Sequence, residues 1–129
     1  MYRLALIALT AASICEPGQA VAHDVAAQLK SNADLKYELW SICVEDTSRA
    51  YSKSSEEAQV VAIGVMAKCV PSENLYIVAI EAQINNSEPH ADLLNVANVL
   101  EEYRQDHRKK FLESSVSQVI ENRLSHVSR

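Results

Sequence analysis

From Val21 to Arg129 the chain contains a single glycine, Gly64, and only two prolines, Pro71 and Pro89. An all-β domain reverses direction every ~8–12 residues and draws on Gly, Pro and Asn to do so. This chain lacks the punctuation for that. Ala, Leu, Glu, Gln, Lys and Ser fill the intervals instead, and most of these are strong helix formers. The expected fold class is all-α, a small helical bundle with a long C-terminal helix. At 129 residues it is one domain, and 48% apolar residues are enough to build a core.

The N-terminus reads as a leader. A short positive start, Met1-Tyr2-Arg3, precedes an eleven-residue apolar run from Leu4 to Ile14. That run is too short for a membrane helix, which needs ~20 residues. Small residues follow at peptidase spacing, Gly18-Gln19-Ala20 or Ala20-Val21-Ala22. The pattern predicts a secretory signal peptide over residues 1–22, cleaved near Ala20 or Ala22; the alternative is a buried first helix. Ile14 before Cys15 does not fit a lipoprotein signal. Export makes the expected location periplasmic or secreted. The rest divides into a helical domain, residues 23–103, and a C-terminal helical extension, residues 104–129.

Removing the leader leaves Cys43 and Cys69. Two cysteines in an oxidising compartment allow one intramolecular disulfide; the alternative is two free core cysteines. There is no CxxC pair of the kind redox catalysts use.

The helices are delimited by caps and prolines. Ser31 or Asn32 is expected to end a short first segment and cap a helix from Ala33 to about Ser52, buried along Leu35, Leu39, Ile42 and Cys43. Trp40 lies off that stripe, packing on the preceding arm or partly exposed. Ser54 and Glu57 have capping-box spacing. The run from Ala58 to Cys69 is apolar nearly all round and predicts a helix in the middle of the bundle. Gly64 within it implies either close approach of a neighbouring helix or a local bend. Pro71 ends that helix, Ser72 is placed to cap the next, and the disulfide would staple this corner. Ser87 and Pro89 are expected to open a final helix. It carries one stripe of Leu93, Val96, Leu100 and Tyr103, and another of Leu112, Val116, Val119, Ile120, Leu124 and Val127. Between them Arg104 to Lys110 form a polar waist, either solvated or a break. The second stripe either folds back or forms a homodimer through the C-terminal helix.

No catalytic constellation is visible. His23, His90, His107 and His126 are widely separated, without zinc-ligand spacing. There is no GxSxG or phosphate-binding loop. The expectation is a non-enzyme with no cofactor and no metal. One conditional exception is a chain starting Val21-Ala22-His23, whose nitrogens would suit square-planar Cu(II) or Ni(II). A net charge of −5 argues against nucleic acid as a partner.

The segment Cys69 to Leu100 resembles the Rap/Tai-type immunity proteins of type VI secretion amidases. The resemblance rests on Cys69-Val70-Pro71, the apolar run Ile77 to Ile84, Pro89-His90, and Ala91 to Leu100, with Ser31 to Cys43 similar to the family's first segment. The family's Cys-x-Gly-Tyr signature and terminal cysteine are absent, and Arg104 to Arg129 extends beyond its usual end. The resemblance implies an exported inhibitor that occludes a peptidoglycan amidase. The predicted partner surface is Glu81, Asn85, Asn86, Glu88, His90 and Asp92. The alternatives from other classes are a periplasmic stress protein or acid chaperone, and a helical self-assembly protein.

Overall fold

The computed structural model describes residues 17–127, with side chains placed from Ala22 onward, so the apolar run Leu4 to Ile14 lies outside the described residues. Four helices account for nearly all of this span: α1 (Pro17–Tyr51), α2 (Ala58–Lys68), α3 (Val70–Ser87) and α4 (Leu93–Val127). Among the described residues there is no strand.

α1 is continuous where a boundary at Ser31-Asn32 was expected. Ser and Asn only lower helix propensity, and they cap only if the chain turns away. Here Lys30 and Asp34 bridge the position at 2.7 Å, Ala33 is buried, and Gln83 Nε2 of α3 donates to the Leu29 carbonyl at 3.1 Å. The buried stripe also differs from the expected one. Ala33, Trp40, Val44 and Ser48 face the core with Tyr37 packed against it, while Leu35, Leu39 and Ile42 are 50%, 43% and 46% exposed. α1 carries two apolar rows, and the one holding Trp40 wins. An indole removes more surface from water than any leucine. Trp40 is wholly buried, its ring 4.6 Å from Phe111 and 5.9 Å from Tyr76.

Cys43 and Cys69 are joined, with sulfurs at 2.04 Å, at the α2–α3 corner. Cys69 ends one helix and starts the next: its N–H donates to the Val65 carbonyl and its own carbonyl accepts from Glu73 N–H. α3 thus starts earlier than a Ser72 cap would place it. Pro71 falls in the first turn, where its missing N–H costs nothing. α2 is a flank helix, not the central one: Val61, Ala62, Val65 and Met66 are buried, but Val60 and Ile63 are half exposed. No single described helix is long and apolar enough to cross a membrane; α2 and α3 together would be, but they meet at a 57° bend. Gly64 is not required by a close backbone approach either. A Cβ there would meet only Tyr51 Cε2, at 4.0 Å.

The expected capping box does not form. Glu57 occupies the N-cap position of α2 without a side-chain bond, and Ser54 Oγ accepts from Glu56 N–H at 3.2 Å. The α1–α2 connection is held instead by Arg123 of α4, whose guanidinium donates to the carbonyls of Ser52, Ser54 and Glu56 at 3.0, 2.7 and 2.7 Å.

Ser87 closes α3 and does not open α4. Its hydroxyl lies 3.1 Å from the Gln83 carbonyl and 3.0 Å from that of Ile84. Pro89 sits in the turn, and Asp92 Oδ1 accepts from Leu94 N–H at 3.4 Å at the start of α4. α4 then runs unbroken through the polar waist. The boundary expected at residues 103/104 falls inside this helix, whose second half adds Phe111, Ser115 and Val119 to the buried interior. The second stripe therefore folds back in part, onto α1 and α2. Ser48 donates to the Val44 carbonyl at 2.6 Å, so its single proton is engaged and Ser115 donates to it across the α1–α4 contact at 2.7 Å.

Candidate protein-binding site

α3 and α4 run antiparallel, joined by the turn that contains Glu88, Pro89 and His90. Between them lies an open groove of about 370 Å³, lined by Asn74, Ile77, Val78 and Glu81 from α3 and by Ala97, Leu100, Glu101 and Arg104 from α4. The helical repeat explains this. Asn74, Val78, Glu81 and Asn85 follow steps of four and three on α3, and Leu93, Ala97, Leu100 and Arg104 do the same on α4. The same rows carry the groove to the turn, where Leu93 and Leu94 are 83% and 67% exposed.

All six predicted partner residues, Glu81, Asn85, Asn86, Glu88, His90 and Asp92, are exposed around this corner. They do not share one face. Glu81 lines the groove and Asn85 continues its row, while Asn86 turns towards α1 and lines a separate cleft with Ala26, Leu29 and Lys30. Asp92 is partly engaged as the cap of α4. Sequence reasoning missed the groove floor, Ile77, Val78, Ala97 and Leu100, and the opposite rim, Glu101. These rows become visible only when two helices are laid side by side.

Directly behind the groove is Glu73, the one acidic residue buried in the core among the described residues, its side chain 1% exposed. Its two oxygens lie 3.5 Å from Arg104 Nη1 and 3.5 Å from Arg108 Nε, and neither has a well-directed hydrogen bond. Burial pushes the carboxyl above the ordinary carboxylate range, against the pull of Arg108 and Arg104. By position Glu73 is simply an acidic residue in the first turn of α3, and Arg104 to Lys110 read as a polar waist. The overlooked signal is that Glu73 shares a face with Tyr76, Ile77 and Ile80.

Across the core, Tyr37, Tyr76 and His107 pack as a ring triad with centroids 5.2 to 5.4 Å apart, lining a cleft of about 270 Å³. His107 Nδ1 sits 2.9 Å from the Tyr103 carbonyl, which assigns the proton to Nδ1 and leaves Nε2 to accept from the Tyr76 hydroxyl at 3.4 Å. Burial raises the Tyr76 phenol, so this pair does not generate a phenolate. Among the described residues no three His, Cys, Asp or Glu side chains group as metal ligands. No family model, curated protein or solved structure matches this chain.

Proposed function

We propose that this is an exported, non-catalytic binding protein of immunity type, which inhibits a secreted peptidoglycan amidase by covering it. The observation that supports this reading best is the α3–α4 corner. There Leu93 and Leu94 stand in solvent beside Glu88 and Asp92 on a scaffold stapled by Cys43 and Cys69. Exposed apolar side chains rimmed by charge are the usual make-up of a protein-docking surface. The test is to recover the tagged, unreduced protein from its native periplasm. A stoichiometric cell-wall hydrolase that is lost with a Glu88→Lys/Leu93→Asp variant supports the reading. Recovery of the protein alone, or of a hydrolase that ignores both substitutions, overturns it.

A second reading, self-assembly, is favoured by Ile120, Leu124 and Val127, which are 46%, 63% and 85% exposed at one-face spacing along the end of α4. Sedimentation of wild type against an Ile120→Glu/Val127→Glu variant separates the two: an oligomer in the first and a monomer in the second would transfer the weight to assembly. The acid-chaperone alternative draws no support from Glu73, because protonating a carboxyl raised by burial relieves a buried charge and tightens the fold.

A further inference from the structure

We propose that the α3–α4 groove receives a basic amphipathic helix from the protein partner; this deepens the binding-protein reading and rests on it for the existence of a partner. The occupant follows from shape and charge together. The groove is the furrow between two antiparallel helices, and no sheet edge is present among the described residues to take an extended peptide. A third helix lays its side-chain ridges into such a furrow. From Asn74 to Asn85 the α3 wall is about 17 Å long at ~1.5 Å per residue, or some three helical turns. Three turns present apolar side chains at i, i+4 and i+7, matching a floor that offers Val78 at 61% exposure, Leu100 half-buried and Leu93 at the open end.

Charge decides which helix fits. The rims carry Glu81 on one side and Glu101 on the other, and Glu88 and Asp92 stand at the turn. The groove's one lining cation, Arg104, is already committed: its Nη1 lies 3.5 Å from Glu73 and its Nε 3.7 Å from Glu101. An acidic helix would meet like charge at Glu81, Glu88 and Asp92, while Glu101 is shared with Arg104 at 3.7 Å and accepts from Gln105 at 3.0 Å. A helix with Lys or Arg flanking its apolar stripe would find Glu81 on one side and the Arg104-paired Glu101 on the other. The apolar floor supplies the affinity and the rims supply orientation, encounter rate and salt dependence.

The probe is a synthetic Leu/Lys peptide of about 18 residues, with Leu at i, i+4 and i+7, titrated into the disulfide-intact, ¹⁵N-labelled protein. The expected result is saturable binding with amide shifts at Val78, Glu81, Ala97, Leu100 and Glu101. Affinity should fall about tenfold in Glu81→Lys/Glu101→Lys, and the matching Leu/Glu peptide should not bind. Glu38→Lys/Asp106→Lys makes the same change in net charge away from the groove, and should bind as wild type does. Equal weakening in both variants would reveal general attraction to an acidic protein and overturn the proposal. So would shifts centred on Leu35, Leu39 and Ile42, or no saturation. Ala97→Trp fills the groove without altering charge and should abolish binding; unchanged binding also overturns it. Should the peptide fail while a hydrolase co-purifies from the periplasm, the groove is wrong and the binding function stands. Should the peptide seat itself as described while no hydrolase is recovered, the groove's chemistry holds and the immunity reading falls.

Discussion

Glu73 is a buried carboxyl whose protonation state bears on the stability of this fold. Its carboxyl is raised above the ordinary 4.5 chiefly by burial, with Arg108 and Arg104 only partly offsetting it. The folded protein therefore holds a proton in a pH window where the unfolded chain has already released it. Stability must rise as pH falls from above the folded value towards 4.5, and level off once the unfolded chain is protonated too. Denaturant midpoints measured from pH 8 to 4.5 should show this rise, and Glu73→Gln should flatten it. A wild-type slope unchanged by the substitution would place the titration elsewhere. The hydroxyl pair Ser48–Ser115 gives a second prediction at this scale. Ser115→Ala leaves Ser48 still bonded to the Val44 carbonyl, whereas Ser48→Ala strands a fully buried Ser115 hydroxyl. Ser48→Ala should therefore cost about 1 kcal/mol more than Ser115→Ala in equilibrium unfolding. Neither group's role was legible in the sequence, because serine and glutamate on a helix are read as surface until a partner helix covers them.

At the scale of the elements, the breaks written in proline were legible and those inferred from polar residues were not. Pro71 and Pro89 do lie at a corner and a turn, since proline's missing N–H and fixed φ act whatever surrounds them. Ser31-Asn32, Ser54/Glu57 and Ser87 each have cap chemistry, yet none of them caps a helix as expected. A cap forms only where the tertiary path lets the chain turn, and Arg123 shows a distant side chain taking over the task for the α1–α2 connection. Gly64 fits a packing or bending requirement on sequence, but a Cβ there would make only an ordinary contact with the Tyr51 ring, at 4.0 Å. Gly64→Ala should stabilise α2 by about 0.5–1 kcal/mol, seen as a raised thermal midpoint. A loss of stability there would mean that the site is tighter than Tyr51 at 4.0 Å implies.

At the scale of the whole molecule, one cross-link joins the middle of α1 to the α2–α3 corner and closes 26 residues of sequence. Cys43→Ser should cost about 3 kcal/mol in chemical denaturation without reductant, and adding reductant to wild type should reproduce most of that loss. A wild type unaffected by reductant would show that packing around Trp40 already holds the corner. Sequence by itself determined the helical class, the pairing of two cysteines and the breaks at Pro71 and Pro89. Each of these is a local property: propensity, cysteine count, proline geometry. Tertiary structure alone decided which of the two apolar rows of α1 is buried, why Glu73 sits in the core with two arginines at 3.5 Å, and that Glu81 and Glu101 face each other across a groove. Those depend on which helix lies beside which, and a one-dimensional pattern of 3.6-residue repeats carries no information about its neighbour.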